Sequence, residues 1–176
     1  MRRRCEFTFA VVSCGLIVAG CQSTAPHPVT VEVDGVRNVS RAGDIYVAGT
    51  PTYDGLRRLK AEGVTTVIDL RLADQVGPDA ASDAEKLGLR RIHLPMNSSG
   101  ITDAQAEAFL AVMREFGDEP MLIHCAGANR AGAMYGLHLG ASGACSVDEA
   151  LQLAKQAGMR SPGLADGVQT QLEARE

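Results

Sequence analysis

The chain has 176 residues, of which 45% are hydrophobic, and its formal net charge is −4. This length suits one domain with a buried core and is too short for two. The negative charge and the lack of a long basic run exclude nucleic-acid binding as a main role.

The first twenty residues have the pattern of an export signal. "MRRR" is basic, and "FTFAVVSCGLIVAG" is apolar but too short to span a bilayer comfortably. "VAGC", at residues 18–21, resembles a bacterial lipobox, in which the cysteine is lipidated and becomes the new N-terminus. We therefore expect a lipid anchor on Cys21 and a location in the cell envelope. The alternatives are an ordinary secretory signal and a membrane anchor.

Removal of residues 1–20, which hold three Arg and one Glu, lowers the net charge by two, to −6. "QSTAPHP" is polar and proline-bearing, so we expect a tether over residues 21–35 and a domain over residues 36–176. The residue after Cys21 is Gln22 and not an aspartate, which resembles the signal that sorts lipoproteins to the outer membrane. We therefore expect the protein on the periplasmic side of that membrane. Only Cys125 and Cys145 remain as candidate thiols, and whether they pair depends on their distance.

Four β-branched or apolar stretches predict strands, and six capped or amphipathic stretches predict helices. The predicted strands are residues 44–49, 64–70, 90–96 and 120–125. The predicted helices are residues 52–63, 79–88, 102–117, 129–139, 146–158 and 164–172. Thr102 with Gln105, and Ser146 with Glu149, have the spacing of capping boxes.

This alternation predicts an α/β fold with a four- to five-stranded, mostly parallel sheet flanked by helices. In such sheets the active site lies at the carboxyl ends of the strands. Cys125 follows the fourth predicted strand directly, which places it at such an end.

The residues around Cys125 suit thiol chemistry on an anion. In "MLIHCAGANRAGAM", residues 121–134, the small residues Ala126, Gly127 and Ala128, followed by Asn129, allow backbone N–H groups to converge on one point. The positive end of the following helix favours a thiolate. The planar fork of Arg130 suits two oxygens of a tetrahedral oxyanion. The reacting partner is a phosphate or a sulfane-sulfur donor; the alternative is a structural cysteine.

"HCAGANRAG" resembles the signature of the protein tyrosine and dual-specificity phosphatases, which is His-Cys, five residues, Arg, Ser or Thr, then Gly. Residues 36–172, with "NVSRAGDIYVAGTPTYDGLRRLKAEGVTTVIDLR" and "LGLRRIHLPMNSSGITDAQAEAFLAVM", resemble the phosphatase-like domain of β-lactamase-hydrolase-like proteins. They also resemble the domain fused to plant NAD kinases. The resemblance implies a cysteine-phosphatase fold with Cys125 as nucleophile and Arg130 as oxyanion ligand.

Three departures separate this chain from that signature. Only four residues, and not five, separate Cys125 from Arg130, and a loop of this six-residue length resembles the one in rhodanese-type sulfurtransferases. Ala131 replaces the hydroxyl that stabilises the leaving thiolate in the phosphatases. Asn97 lies where the family places its acidic aspartate, so general-acid help worth about 10²–10⁴-fold is in question. Asp103 is the nearby candidate acid, and a helix-dipole role is the alternative.

The other polar residues receive structural interpretations or remain open. His124 precedes the nucleophile and is expected to orient the loop by hydrogen bonds, with a packed core histidine as the alternative. Asp69 and Arg71 are interpreted as a salt bridge at the edge of the sheet. His27, His93 and His138 show no metal-ligand spacing, so we expect neither a metal nor a cofactor.

The sequence therefore predicts a lipid-anchored, cysteine-dependent phosphatase-like hydrolase acting on a phosphorylated substrate of unknown type. One alternative is a rhodanese-like sulfurtransferase, which the short loop favours. The other is a catalytically weak pseudo-phosphatase that binds an anion in the envelope, which Ala131 and the missing acid favour.

Overall fold

The computed structural model describes residues 23–175. Its strands are β1 (Val29–Thr30), β2 (Ser40–Ala42), β3 (Ile45–Ala48), β4 (Thr66–Asp69), β5 (Arg90–His93) and β6 (Met121–His124). Its helices are α1 (Tyr53–Ala61), α2 (Ala80–Lys86), α3 (Asp103–Phe116), α4 (Asn129–Ala141), α5 (Val147–Gln156) and α6 (Pro162–Glu173). The predicted signal peptide lies outside the described residues.

The described residues form one mixed sheet in the order β1-β2-β3-β6-β4-β5. Strands β3, β6, β4 and β5 are parallel, and β1 and β2 add an antiparallel edge beside β3. The predicted α/β fold and its four parallel strands are confirmed. The sheet has six strands, more than the four or five expected. Strands β1 and β2 were not predicted because they have only two and three residues, too few to show strand periodicity.

Helices cover both faces of the sheet. One apolar core joins the sheet to α1 and α2, and a larger core joins it to α3, α4, α5 and α6. The predicted caps form: Thr52 accepts the amide of Gly55 at α1, and the Thr102–Gln105 box closes on α3. Ser146 accepts the amide of Glu149 at α5.

Helices α4 and α5 approach closely because α4 carries glycines on the shared face. A Cβ atom at Gly132 would lie 2.6 Å from the amide nitrogen of Met159. A Cβ atom at Gly136 would lie 2.6 Å from the Cβ atom of Ala154. Both distances are shorter than van der Waals contact, so these positions require glycine if the two helices are to keep their spacing. The start of α4 is thereby held against the chain that follows α5.

The N-terminal segment, residues 23–28, is packed on the domain. The amide of Thr24 donates to the carbonyl of Ala144 at 3.1 Å, and Ala25 is only 6% exposed. The hydroxyl of Tyr135 donates to the carbonyl of Pro26. Within the tether predicted over residues 21–35, these contacts and β1 join the stretch from Thr24 onward to the domain. Among residues 23–175, no helix is both long and apolar enough to cross a membrane.

Candidate active site

Residues 125–128, the Cys125 loop, join the end of β6 to the start of α4. Strand β6 is buried along its whole length between β3 and β4, so the loop emerges from the centre of the sheet at its carboxyl end. The amide of Cys125 donates to the carbonyl of Ala48 at 3.2 Å. Cys125 is 1% exposed, so its thiol lies at the floor of this end of the sheet.

The first two carbonyls of the Cys125 loop accept hydrogen bonds from outside the loop. The hydroxyl of Thr50 donates to the Cys125 carbonyl at 3.1 Å, and the amide of Thr50 donates to the Ala126 carbonyl at 3.4 Å. Arg37 also donates to the Ala126 carbonyl, at 3.4 Å. Gly49 permits this approach, since a Cβ atom there would lie 3.2 Å from the Ala126 oxygen.

The third carbonyl, that of Gly127, is held by two side chains. Nη2 of Arg160 donates to it at 2.8 Å, and Nδ2 of Asn38 donates to it at 3.5 Å. The hydrogen bonds to these carbonyls place two exposed guanidinium groups, those of Arg37 and Arg160, at the rim of the loop. Both are separated from the loop by dozens of residues in sequence, and no local motif marks them.

Five amides of the same region are not used by any group in the described part of the chain. Within residues 23–175, no hydrogen-bond acceptor meets the N–H groups of Ala126, Gly127, Asn129, Arg130 and Ala131. Ala128 has φ of 72°, a left-handed conformation that is uncommon outside glycine and that turns the chain into α4. A run of free amides at such a turn and at a helix N-terminus is able to bind an anion.

Arg130 is buried, and its guanidinium is braced from one side. Nη1 donates to the carbonyls of Leu70 at 3.1 Å and Met96 at 2.8 Å, and Nη2 donates to Oε1 of Gln75 at 2.9 Å. These contacts use three of its five N–H donors. The other two, including Nε–H, meet no acceptor within residues 23–175. Gln75 is a site residue that the sequence analysis missed, since an exposed glutamine at the end of a single 3-10 turn carries no sequence signal.

Asn129 has its side chain on the far side of the loop. Its Oδ1 accepts the amides of Arg160 at 2.6 Å and Ser161 at 3.1 Å. The side chain therefore fixes the start of α6 against the start of α4, while the backbone N–H of Asn129 stays in the set of free amides. Ala131, in the first turn of α4, is fully buried, and its methyl side chain supplies no hydroxyl group to the site.

The two candidate positions for a general acid are structurally distinct. Met96, whose carbonyl holds Arg130, is followed by Asn97, which therefore lies beside the site. Oδ1 of Asn97 accepts the amide of Ser99 at 2.8 Å. Asp103 instead accepts a hydrogen bond from Nε2 of Gln171 on α6, at 2.6 Å. That partner gives Asp103 a structural role at the first turn of α3.

Behind the loop lies a buried ionic cluster around Asp69. Nε and Nη2 of Arg71 donate to its two oxygens at 2.9 and 2.8 Å, and Arg91 donates at 2.7 Å. Burial alone would raise the pKa of Asp69, but the hydrogen bonds from Arg71 and Arg91 and the nearby His124 hold it well below its usual range. The salt bridge expected between Asp69 and Arg71 is confirmed, and Arg91 was not foreseen.

His124 joins this cluster from β6. Its Nε2 lies 3.6 Å from Oδ1 of Asp69, and its side chain is 3% exposed. Burial lowers the pKa of His124 to about 4, against the opposing effect of Asp69, so the ring is neutral near pH 7. Within residues 23–175, its Nδ1 atom has no hydrogen-bond partner. The ring packs on the α1–α2 side of the sheet beside a cleft of about 230 Å³ that Arg71 and Arg91 also line.

The two thiols lie at opposite ends of α4. Cys125 precedes the helix and Cys145 follows it, and thirteen helical residues separate their loops. At 1.5 Å per residue the helix alone spans about 20 Å, whereas a disulfide requires Cα atoms within about 7 Å. The two cysteines therefore do not pair in this fold. Burial raises the pKa of the Cys145 thiol.

The family described as "DSP-PTPase phosphatase fused to NAD+ Kinase" matches residues 24–169. A comparison with curated protein sequences found no significant match.

Several solved structures share the fold. A candidate phosphatase from Shewanella putrefaciens CN-32 is 22% identical, with a TM-score of 0.70 over 81% of this chain and 95% of that chain. TpbA of P. aeruginosa in complex with pTyr is 19% identical, with a TM-score of 0.63 over 85% and 96%. PTPMT1 in complex with PI(5)P is 15% identical, with a TM-score of 0.64 over 74% and 91%.

Proposed function

We propose a function from one premise, which is that the chain belongs to the family of DSP-PTPase phosphatases fused to NAD+ kinase. The proposed activity is hydrolysis of a phosphate monoester with Cys125 as nucleophile. One observation carries it: within residues 23–175, five amides of the Cys125 loop and the first turn of α4 have no acceptor, and Arg130 keeps two free donors. Together they offer more donors than the three non-bridging oxygens of a phosphate require.

In the first step, the thiolate of Cys125 attacks phosphorus, forming an S–P bond while the bond from phosphorus to the leaving oxygen breaks. The loop amides and Arg130 hold the oxygens on which charge develops. In the second step, water attacks the phosphocysteine, the S–P bond breaks, and inorganic phosphate leaves. The leaving oxygen departs in the first step and takes a proton from water. In the second step the attacking water gives up a proton to solvent, and Cys125 returns as a thiolate.

The leaving oxygen needs a proton, and Asn97 cannot supply one as an acid does. Phenols ionise near pH 10, as tyrosine does, and are better leaving groups than aliphatic alcohols. A site without a strong acid therefore favours aryl phosphates such as phosphotyrosine over alkyl phosphates. The complex of the related fold TpbA with pTyr supports this choice of substrate class.

A second candidate is anion binding with little turnover. It is favoured by Ala131, which offers no hydroxyl to the departing thiolate, and by Asn97. The rhodanese-like alternative has weaker support, because the family to which the chain belongs is a phosphatase family. Accumulation of a persulfide on Cys125 with a sulfur donor, released by cyanide, would favour that alternative over both others.

The test compares p-nitrophenyl phosphate hydrolysis by the purified protein, by Cys125→Ser and by the matched variant Cys145→Ser. We expect the first variant to lose turnover by at least about 10³-fold and the second to keep it, since Cys125 is the proposed nucleophile and Cys145 lies at the opposite end of α4. Equal rates for the wild type and Cys125→Ser would reject the phosphatase mechanism. If phosphate raises the melting temperature of the protein but no turnover is measured, the result would favour the second candidate function, anion binding.

We also propose that Cys21 is lipidated and anchors the protein to the envelope, on the periplasmic side of the outer membrane. The lipobox pattern supports this, and Cys21 itself lies outside the described residues. Incorporation of a labelled fatty acid in cells, abolished in Cys21→Ser and kept in Cys145→Ser, would support it. Equal labelling of Cys21→Ser would reject it.

A further inference from the structure

The N-terminal segment reaches the domain at the end opposite the Cys125 loop. Ser23 and Thr24 both donate to the carbonyl of Ala144, at 3.3 and 3.1 Å. Ala144 lies in the turn between α4 and α5, at the end of the sheet where the parallel strands begin. Pro26 continues beside Gly43, in the turn before β3. The chain therefore enters at the amino end of the sheet and only later reaches the carboxyl end, where Arg37 contacts the loop.

Helix α4 runs from one of these two ends to the other, so its length gives the distance between them. It begins at Asn129, beside the Cys125 loop, and ends at Ala141, beside the turn that Thr24 contacts. Its thirteen residues span about 20 Å. The site and the point where the chain enters the domain are thus separated by the full depth of the sheet and its helices.

The distance from the anchor to the domain is much shorter. From Cys21 to Thr24 there are three residues, which reach at most about 11 Å when fully extended. A lipid on Cys21 is inserted in the bilayer, so the contacts of Ser23 and Thr24 hold the α4–α5 turn, residues 142–146, close to the membrane surface. The Cys125 loop then faces the aqueous compartment.

We propose that the α4–α5 turn and the N-terminal segment form the membrane-facing surface of the anchored protein. The Cys125 site consequently acts on water-soluble phosphorylated molecules and not on phosphorylated headgroups of the membrane that holds it. This rests on the proposed function for its substrate and on lipidation of Cys21 for its orientation. The partner of this surface is the phospholipid bilayer. The reason is that the predicted lipobox, residues 18–21, lies directly before the segment that contacts the α4–α5 turn.

The orientation is tested without any enzyme assay. The lipidated protein, with Cys125→Ser and Cys145→Ser to remove other thiols, is placed in vesicles of phosphatidylethanolamine and phosphatidylglycerol with a nitroxide headgroup lipid. A fluorophore is attached through Ser142→Cys or, as the matched variant, through Ser98→Cys near the site. We expect strong quenching at position 142 and little at position 98. Equal or reversed quenching, or failure of the lipidated protein to float with the vesicles, would overturn the orientation.

The substrate consequence is tested with one chemical group in two places. Phosphotyrosine is presented either as a soluble peptide or coupled to phosphatidylethanolamine in the vesicle. The wild type is compared with a variant carrying about 30 Gly and Ser residues between Gln22 and Ser23, whose root-mean-square length is about 30 Å. We expect equal rates on the peptide, and at least a tenfold faster rate on the lipid-coupled group for the long-linker variant.

Equal rates of both proteins on the lipid-coupled group would overturn the proposed restriction to soluble substrates. Loss of activity on both forms of phosphotyrosine would instead reject the proposed function, and the quenching result would still decide the orientation. The two failures are therefore distinguishable.

Discussion

Two polar regions lie at the carboxyl ends of the central strands, and they differ in how their groups are paired. Around Asp69, both carboxylate oxygens accept hydrogen bonds from the buried Arg71 and the half-buried Arg91, and the charge is neutralised inside the protein. Around Cys125, the loop carbonyls are paired, while five amides have no acceptor within residues 23–175. The first arrangement holds the strand ends together, and the second leaves unused donors available for a ligand.

The largest effect on stability is expected from opening the paired region. Asp69→Asn removes the charge that compensates the buried Arg71 and the half-buried Arg91, so the free energy of unfolding is expected to fall by about 3–5 kcal/mol. Urea denaturation measures this. Asp103→Asn, which also removes a carboxylate charge, is the matched control with an expected loss under about 1 kcal/mol. A similar small loss for Asp69→Asn would contradict the structural role of the cluster.

The same region predicts a pH dependence through His124. Its folded pKa of about 4 lies below the ordinary value of 6.5, so the unfolded chain binds the proton first as pH falls. Stability is therefore complete above pH 6.5 and decreases toward pH 4, with about 2 kcal/mol lost by pH 5. Denaturation at pH 7, 6 and 5 tests this, and His124→Asn is expected to flatten the decrease. An unchanged slope in that variant would contradict the assignment.

In the Cys125 region, the next largest effect is expected from restoring a general acid at position 97. Asn97→Asp keeps the oxygen that accepts the Ser99 amide and adds a titratable carboxyl beside Arg130. Turnover of an aryl phosphate is expected to rise by about ten- to hundredfold, with a new loss at high pH as the carboxyl ionises. Asn129→Asp is the matched variant, which adds the same carboxyl group where it faces the amides of Arg160 and Ser161, and it is expected to give no gain. A rise in both variants, or in neither, would argue against Asn97 as the acid position.

The smallest expected effect comes from restoring the hydroxyl of the phosphatase signature. Ala131→Ser offers a hydrogen bond to the departing thiolate, and breakdown of the phosphocysteine is expected to accelerate by about tenfold. Pre-steady-state kinetics separate this step from the initial release of phenol. Ala133→Ser, at another buried alanine of α4, serves as the control. Equal acceleration in both variants would remove the assigned role of position 131.

The sequence predicted the elements that local patterns determine. The caps at Thr52 and Thr102 formed as expected, since each depends on residues three positions apart. The position of Cys125 at the end of a buried strand followed from the alternation of strands and helices. The antiparallel edge and the docked N-terminal segment were missed because they depend on distant partners, such as Tyr135 for Pro26.

The site was predicted in its centre and missed at its rim. Cys125 and Arg130 are marked by their spacing in one short motif, and the structure gives them the expected strand–loop–helix context. Arg37, Gln75 and Arg160 contact the loop or Arg130 from 33 to 89 positions away. No periodicity or motif joins residues so far apart, and only the folded chain brings them together.

The central claim is that phosphorus becomes bonded to Cys125 during turnover. The most direct measurement is rapid mixing of the protein with an aryl phosphate, acid quenching within milliseconds, and mass spectrometry of the peptide that contains Cys125. We expect one phosphoryl group on that peptide and none on the peptide that contains Cys145. Steady turnover with no phosphoryl group on Cys125, and undiminished turnover in Cys125→Ser, would contradict the mechanism.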